Sequence, residues 1–197
     1  MCKEGEFMPI DNIPEVPTPD LDLPEFKLKE VPFRYEGESD YTIRKGTVSD
    51  VRGILQLVNG FAAANLMLSR GPRELFENIR DFVVATEHET REGRPPLIIA
   101  CGGLHVLWED IAEVRSLAIH PDYQNKGLGR KLVEFMKKEA AQLGVKRLYT
   151  FTLAEEFFKQ LGFRLKEKED LPAKLWDDCS RCPKYFKCDE VGMVLEI

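Results

Sequence analysis

The most informative segment of the sequence is Ser116-Leu117-Ala118-Ile119-His120-Pro121-Asp122-Tyr123-Gln124-Asn125-Lys126-Gly127-Leu128-Gly129-Arg130-Lys131-Leu132. It predicts a strand, a tight turn and the start of a helix, in that order. The free N–H groups and the positive dipole end of a helix N-terminus bind phosphate. Glycine at positions 127 and 129 leaves no side chain to keep a phosphate away from the backbone. The stretch therefore predicts an anion site at a strand-to-helix turn.

A strand, two helices and three further strands are predicted ahead of this turn. The first strand lies in residues 41–44, and residues 47–50 have the spacing of a capping box at a helix start. A second helix is expected to open at Pro72, because proline suits the first position of a helix. Its inward face is predicted to carry Leu75, Phe76, Ile79 and Phe82. Three strands joined by hairpins are expected in residues 82–85, 97–108 and 112–119.

A long helix, a strand and a short helix are predicted after the turn. The long helix is expected to bury six apolar side chains, those of Leu128, Leu132, Phe135, Met136, Ala140 and Leu143. Gly144 is its expected C-cap. A strand in 145–152, a helix around 155–161 and a turn at Gly162-Phe163 follow. The predicted order is βααβββαβαβ, which is the pattern of an α/β protein.

The negative charge of the chain is concentrated near its beginning. The 197 residues have a formal net charge of −6, and residues 1–40 alone hold 11 acidic and 4 basic residues. The same residues hold six of the twelve prolines, which are too closely spaced for a helix or a central strand. We expect residues 1–40 to form an acidic, extended arm, either docked or solvated, and residues 41–197 to form the folded domain.

The composition excludes several classes of protein. Residues 41–197 are nearly neutral and lack the stripe of Lys and Arg that a nucleic-acid-binding surface needs. No apolar run approaches the roughly 20 residues of a membrane span, and no signal peptide is recognisable. We therefore expect a soluble, cytoplasmic globular protein with neither nucleic acid nor membrane as a partner.

Three of the five cysteines, Cys179, Cys182 and Cys188, lie close together. Their spacing is similar to that of a metal site, but a closed zinc site needs a fourth ligand, for which Cys2 or Asp189 is available. Three reduced thiols in a C-terminal loop are the preferred interpretation, so that no metal is expected. Bound zinc or a Cys179–Cys182 redox pair is the alternative.

The turn and its surroundings resemble a known family. Gln124-x-x-Gly127-x-Gly129, after a strand that ends in Ala118-Ile119-His120-Pro121, is similar to the acetyl-CoA-binding motif of the GNAT superfamily of N-acetyltransferases. Residues 157–163, Phe-Phe-Lys-Gln-Leu-Gly-Phe, are similar to its late helix-turn signature. The resemblance covers residues 41–165 and implies the GNAT acyltransferase fold, a mixed central sheet flanked by helices, with acetyl-CoA as cosubstrate. The alternative is a capped turn that binds no ligand.

A narrower resemblance is to the short, single-domain bacterial N-acetylglutamate synthases. It rests on Asn-Leu-Met-Leu-Ser-Arg at 65–70, on Glu-Val-Arg-Ser-Leu-Ala-Ile-His-Pro at 113–121, and on residues 171–183 of the Cys-containing segment 171–190. It implies transfer of the acetyl group to the α-amino group of L-glutamate, the first step of arginine biosynthesis, and leaves a homodimer open. The alternatives are glutamine or another amino acid, a small amine or a peptide N-terminus as acceptor, or a non-catalytic acyl-CoA-binding sensor.

The superfamily resemblance also implies which residues contact the cosubstrate. The backbone of residues 117–119 is expected beside the thioester, where its N–H groups would polarise the carbonyl. The glycine turn is expected to bind the pyrophosphate, and Phe158 to pack on the pantetheine arm. The predicted cofactor-binding residues are Leu117, Ala118, Ile119, Gln124, Asn125, Lys126, Gly127, Leu128, Gly129, Arg130 and Phe158.

One position departs from the superfamily pattern. Many members have a tyrosine, thought to protonate the departing thiolate, where this chain has Phe158. Coenzyme A therefore leaves as a thiolate, or a water assists, or Tyr149 or Tyr185 reaches the sulfur.

Four side chains are candidates for chemistry on the acceptor. An α-ammonium must lose a proton before it attacks, and Glu113, which matches an acidic residue of the synthase family, is the predicted general base. Arg70, Arg115 and, as a weaker third, Lys174 are predicted to bind carboxylates, a task suited to the arginine fork. Strand alternation predicts that residues 113, 115 and 117 share one face. A solvated Glu113 and ordinary ion pairs of the arginines are the alternatives.

Overall fold

The computed structural model describes residues 41–87, 97–167, 170–172, 180, 182 and 184–197. The arm predicted for residues 1–40 lies outside the described residues, as do Lys174 and Cys179. The division of the chain into an arm and a domain therefore stays a prediction.

The described residues form strands and helices in an order that alternates along the chain. The strands are β1 (Tyr41–Lys45), β2 (Phe82–Glu87), β3 (Ile98–Val106), β4 (Ile111–Ile119), β5 (Arg147–Thr152), β6 (Arg164–Leu165) and β7 (Val191–Glu196). The α-helices are α1 (Val51–Ala63), α2 (Pro72–Glu77), α3 (Leu128–Gln142) and α4 (Glu155–Lys159). The predicted order is confirmed as far as β6, and β7 follows it.

All seven of these strands belong to one mixed sheet with the order β1-β2-β3-β4-β5-β7-β6. β1 to β4 are antiparallel neighbours, as the predicted hairpins require, and β5 runs parallel to β4. β7 inserts between β5 and β6 and pairs with both in antiparallel fashion. β7 is therefore the strand next to the β6 edge of the sheet.

The helices cover the two faces of the sheet. α3 packs on one face, where Leu132, Val133 and Met136 are fully buried against β2, β3 and β4. α1 and α2 pack on the opposite face, where Ile54, Val58 and Leu75 join a second apolar cluster. The capping box predicted at Thr47–Asp50 is present, and it opens a 3₁₀ turn that leads into α1.

Two of the predicted helix faces are partly wrong. α2 ends at Glu77, so that a helix of six residues buries Leu75 and leaves Phe76 half exposed. Ile79 lies in a 3₁₀ turn and Phe82 is the first residue of β2. Leu143 follows the last turn of α3 and is exposed, while Gly144 has the left-handed φ of 82° expected of a residue that ends a helix.

β4 contains one extra residue that reverses its alternation. Gly103 lies opposite Arg115 and Cys101 opposite Ala118, so three steps on β4 match two on β3. The extra residue is accommodated at Ser116, whose φ is +51°. Leu117 consequently packs in the α3-side cluster together with Val114. The prediction that residues 113, 115 and 117 share a face holds for the first two and is wrong for Leu117, because the bulge falls between them.

β4 and β5 separate soon after they meet. Their parallel pairing covers Ile111–Arg147, Ala112–Leu148 and Glu113–Tyr149. Beyond Glu113, none of the described strands pairs with β4 on this side, whereas β5 continues to pair with β7. The sheet therefore splits, and a gap opens between the second half of β4 and β5.

Close packing of α1 on β3 leads to a stability prediction. A Cβ at Gly53 would lie 2.5 Å from Cγ1 and 3.2 Å from Cβ of Ile98. Gly53→Ala should lower the free energy of unfolding by about 1–2 kcal/mol, because overpacking exceeds the gain in helix propensity. Urea denaturation measures this change. The control Arg52→Ala, at an exposed position of the same helix, should change it by less than about 0.5 kcal/mol; stabilisation by Gly53→Ala would contradict the packing.

Candidate active site

A cavity of about 720 Å³ fills the gap between β4 and β5. One wall is β4 from Glu113 to Ile119, and the facing wall is β5 with the segment that follows it and α4. The turn before α3 closes one end, and residues of the α1–α2 loop, together with Glu190, contribute at another part of the lining. The cavity is therefore a cleft with the open backbone edge of β4 along one side.

The turn between β4 and α3 is held by local and long-range hydrogen bonds. Nε2 of Gln124 donates to the carbonyl of Ile119 at 3.0 Å, which folds the turn back on the end of β4. The hydroxyl of Tyr123 donates to Glu87 at the end of β2. Burial lowers the pKa of His120, with Asp122 and Glu87 acting in the opposite direction, and Nδ1 of this ring accepts from the backbone N–H of Asp122. These contacts fix the backbone that enters α3.

The two glycines of the turn have different physical roles. Gly127 has φ = +79° and a Cβ there would meet no atom within 4 Å, so the position needs a left-handed conformation beside open space. Asn125 also has a positive φ, of 59°. A Cβ at Gly129 would instead lie 3.2 Å from Cζ of Phe157, so this glycine allows α4 to pack against the start of α3.

The predicted cofactor-binding residues meet in the cleft with one exception. Its lining includes Leu117, Ala118, Ile119, Gln124, Asn125, Gly127, Leu128, Gly129, Arg130 and Phe158. Lys126 is not part of the lining, and its Nζ lies 5.6 Å from the centre of the Tyr123 ring. Arg130 is exposed, and its Nη1 donates to the carbonyl of Gln160 at 3.4 Å.

Glu113 is buried at the point where β4 and β5 separate. Only 8% of the residue is exposed, and it lines the cleft. Its neighbours across the sheet are His105 on β3 and Tyr149 on β5. The alternative interpretation, a solvated charge at the end of a strand, does not fit a residue that is this deeply buried. A buried carboxylate in a cleft can contact a substrate from which water is excluded.

Arg70 is a buried arginine in the loop between α1 and α2, and 9% of it is exposed. The side chain of Asn59 accepts from the backbone N–H of Arg70 at 2.9 Å and donates to the backbone carbonyl of Arg70 at 3.1 Å. Its Nη1 donates to Glu74, and its Nε donates to Oγ of Ser116 at 3.1 Å. The contact with Ser116 brings the guanidinium of Arg70 to the bulge of β4.

Arg115 lies on β4 two residues after Glu113, and its side chain is 10% exposed. Its Nη2 is 3.5 Å from Oδ2 of Asp81, and the same carboxylate oxygen is 2.6 Å from Nδ1 of His105. Both arginines line the cleft. Two largely buried cations and Glu113 are therefore grouped at one part of it.

The hydroxyl groups proposed to replace the missing tyrosine are elsewhere. Phe158 is buried, with its ring in edge-to-face contact with Phe157 and Phe163. The hydroxyl of Tyr149 accepts from Nη1 of Arg147 at 3.5 Å. Tyr185 is half exposed, and neither tyrosine belongs to the lining of the cleft. Ser116, by contrast, belongs to the lining, and its hydroxyl oxygen accepts from Nε of Arg70.

The cysteines in the described part of the chain offer no activated thiol in the cleft. Burial raises the pKa of Cys101 to about 12, against a weaker opposing hydrogen bond from the backbone of Ala118. Cys182 and Cys188 are half buried. Within the described residues no group of three His, Cys, Asp or Glu side chains is arranged to hold a metal. Because Cys179 lies outside those residues, the choice between reduced thiols, zinc and a redox pair stays a prediction.

Several contacts of the site were not predicted from the sequence. They involve Asn59, Asp81, Glu190 and the side chain of Ser116. Asn59 and Asp81 act through residues that are 11 and 34 positions away in the chain. A local pattern carries no signal for such pairs. The positive φ of Ser116 could not be predicted either, because serine, unlike glycine, rarely adopts this conformation.

The split sheet and the glycine turn define a class of protein, the acyltransferases that use an extended acyl donor. The open edge of β4 offers backbone hydrogen bonds along the length of such a donor, and the turn offers its anionic end a helix N-terminus. Sequence comparison gives the family: the model of the Acetyltransferase (GNAT) family matches residues 63–163, and the chain belongs to this family. It is therefore an acetyltransferase.

Relatives of this chain include amino-acid acetyltransferases. An uncharacterized N-acetyltransferase of Chlorobaculum tepidum is 36% identical over 79% of this chain and 96% of its own length. The amino-acid acetyltransferase of Mycobacterium tuberculosis is 33% identical over 71% of this chain and 77% of its own length. That of Pasteurella multocida is 34% identical over 70% of this chain, but over 30% of its own length. The chain thus spans about a third of the length of the longer relatives.

Solved structures share the fold. Rv2747 from Mycobacterium tuberculosis, in complex with CoA and NLQ, has a TM-score of 0.64 and 28% identity over 79% of this chain and 99% of that chain. N-acetylglutamate synthase from Neisseria gonorrhoeae, complexed with coenzyme A and N-acetyl-glutamate, has a TM-score of 0.68 and 22% identity over 81% of this chain and 36% of that chain.

None of the described helices is long and apolar enough to cross a membrane.

Proposed function

We propose that this acetyltransferase moves the acetyl group of acetyl-CoA to the α-amino group of L-glutamate, as an N-acetylglutamate synthase of arginine biosynthesis. The observation that carries the proposal is the charge in the cleft, where Glu113, Arg70 and Arg115 lie together. A dianionic acceptor needs cations to offset the desolvation of its two carboxylates. The relatives named amino-acid acetyltransferases support the same class of acceptor.

Acetyl-CoA would bind along the open edge of β4. In this proposal the pyrophosphate lies on the turn from Gln124 to Arg130, at the start of α3. The pantetheine amides pair with the backbone of residues 117–119, and Phe158 supports the arm by packing. The complex of Rv2747 with CoA supports this cosubstrate, since that chain has the same fold.

The acceptor would react by direct transfer. Glu113 takes a proton from the α-ammonium, directly or through one water, and the neutral nitrogen then attacks the thioester carbonyl carbon. Backbone N–H groups of β4 stabilise the oxyanion of the tetrahedral intermediate. The carbon–sulfur bond breaks as the intermediate collapses, and coenzyme A leaves with the electron pair on sulfur. The second proton of the nitrogen passes to this thiolate or to a solvent water, which leaves the neutral amide. Cys101 takes no part, because its buried thiol remains protonated at physiological pH.

Arg70 and Arg115 would bind the two carboxylates of glutamate. Each guanidinium is largely buried, so that its interaction with a carboxylate is weakly screened by water. The carboxylate of Asp81, which also contacts His105, restrains the guanidinium of Arg115. The side chain of Asn59 restrains the backbone of Arg70. Lys174 remains a third candidate in this proposal, on the resemblance alone.

A matched pair of glycine variants tests the cosubstrate site. Gly127 and Gly144 have φ values of 79° and 82°, and neither has an atom within 4 Å of an added Cβ. Alanine should therefore cost similar backbone strain at both positions, about 1–2 kcal/mol. Only Gly127→Ala should weaken coenzyme A binding in a calorimetric titration, by roughly tenfold or about 1.4 kcal/mol. Equal affinities of the two variants would contradict the proposed pyrophosphate site.

Glu113→Gln tests the general base. The amide keeps the shape of the side chain but cannot accept the proton, so kcat at pH 7 should fall about 10²–10⁴-fold. The Michaelis constant for acetyl-CoA should change little. Glu190→Gln, which alters the other glutamate of the cleft lining, is the matched control, and its kcat should stay within a few-fold of the parent. The reverse result would transfer the role to Glu190.

Arg115→Ala tests recognition of the acceptor. Loss of a charged hydrogen-bond partner should lower kcat/KM for glutamate by roughly 30–1000-fold, about 2–4 kcal/mol, with acetyl-CoA binding nearly intact. Arg73→Ala is the matched control, since Arg73 is an exposed arginine of α2 paired with Glu77. A loss confined to glutamate assigns Arg115 to the side-chain carboxylate, and an equal loss with glutamine assigns it to the α-carboxylate. Unchanged glutamate kinetics would exclude Arg115 from the acceptor site.

A further inference from the structure

Ser116 combines three features that the proposed function does not use. It adopts φ = +51°, which costs a non-glycine residue free energy, and strained residues of this kind cluster at functional sites. It lines the cleft together with Arg70 and Arg115. Among the described residues, its Oγ has one hydrogen-bond partner, Nε of Arg70 at 3.1 Å. A glycine would adopt this conformation with less strain, so backbone geometry does not explain why the residue carries a hydroxyl.

The direction of this hydrogen bond determines what the hydroxyl can do. The Nε–H of Arg70 is a donor, so Oγ of Ser116 accepts and keeps its own O–H for donation. Acceptance from a cationic donor polarises the hydroxyl and strengthens it as a donor. The rest of the Arg70 environment holds the guanidinium in place, with Glu74 on Nη1 and Asn59 on the backbone. The cleft thus contains a hydroxyl donor that is held beside the guanidinium of Arg70.

We propose that the hydroxyl of Ser116, oriented by Arg70, donates a hydrogen bond to the α-carboxylate of the acceptor amino acid. This inference rests on the proposed function, because it needs an α-amino acid as the acceptor. Ser116 lies on the same strand as Glu113, at the beginning of the open edge where the α-amino group must meet the thioester. The α-carboxylate is attached to the same carbon atom as that amino group, whereas the side-chain carboxylate of glutamate is farther away.

The contact between Ser116 and Arg70 suggests which carboxylate of the acceptor each buried arginine binds. Arg70 binds the α-carboxylate, and its Nε also positions the Ser116 hydroxyl for that carboxylate. Arg115, which Asp81 holds on the face of Glu113, is left for the side-chain carboxylate. Ser116 therefore serves any α-amino acid, and Arg115 sets the preference for an acidic side chain.

Steady-state kinetics of Ser116→Ala tests the inference, with L-glutamate, L-glutamine and the α-amide of glutamate as acceptors at saturating acetyl-CoA. The KM for glutamate and for glutamine should rise by similar factors of about 10–100, the range for a hydrogen bond to a charged group. The kcat should change by less than about threefold. The α-amide, which lacks the α-carboxylate, should be a poor substrate of the parent and should lose no more with the variant.

Two further variants separate binding from folding. Ser116→Gly removes the hydroxyl and relieves the left-handed strain, so it should show the same rise in KM without a lower melting temperature. In an Arg70→Lys background, which lacks the Nε–H donor, Ser116→Ala should raise KM by at most about threefold. Ser69→Ala is the control, because Ser69 is the exposed serine next to Arg70 in sequence and should leave the kinetics of the parent unchanged.

The outcomes distinguish this inference from the proposed function. If the parent prefers another α-amino acid to glutamate, the proposed acceptor fails, yet Ser116→Ala must still raise the KM of that amino acid. An unchanged KM would overturn the inference. A fall in kcat at constant KM would also overturn it, since it would mean a hydrogen bond to the oxyanion. An enzyme that acetylates only amines without an α-carboxylate would overturn both.

Discussion

The hydrogen bonds that β4 cannot make with β5 are the constraint on which the site depends. A strand in the middle of a sheet uses its backbone groups on both sides, but β4 pairs with β5 through Glu113 and not beyond it. The extra residue at Ser116 turns the chain at the same place and changes which side chains face each layer. The cleft, the open backbone edge and the grouping of Glu113 with the arginines all follow from this local break in the sheet.

Charge in the cleft is organised by partners that lie far away in the sequence. Asp81, between α2 and β2, contacts both His105 of β3 and Arg115 of β4. Asn59 of α1 clamps the backbone of Arg70, and Arg70 reaches the bulge of β4. Because these contacts restrict side chains that would otherwise be free to rotate, an acceptor would lose less conformational entropy when it binds. Pre-organised cations are the physical basis of the proposed choice of a dianionic acceptor.

The sequence predicts features that arise within a few residues of one another. The glycine turn, the capping box at Thr47–Asp50 and the left-handed glycine that ends α3 depend on local backbone chemistry, and all three are present. The glycine, Gly144, follows the C-cap residue Leu143 instead of being the cap itself. The face predicted for Leu117 is wrong because a bulge depends on how two strands meet. The inward position predicted for Phe76 is wrong because it needs a longer helix, whereas α2 ends at Glu77. The insertion of β7 beside β5 likewise joins residues 39 to 49 positions apart, which no local pattern reports.

The rate of coenzyme A release by the parent protein reports directly which acceptor it uses. Acetyl-CoA is offered with equal concentrations of L-glutamate, L-glutamine, L-lysine or an arylamine, and the free thiol is followed with time. We predict the highest kcat/KM with L-glutamate, because two buried arginines line the same cleft as Glu113. Preference for L-lysine or the arylamine, or binding of acetyl-CoA without turnover of any acceptor, would contradict it.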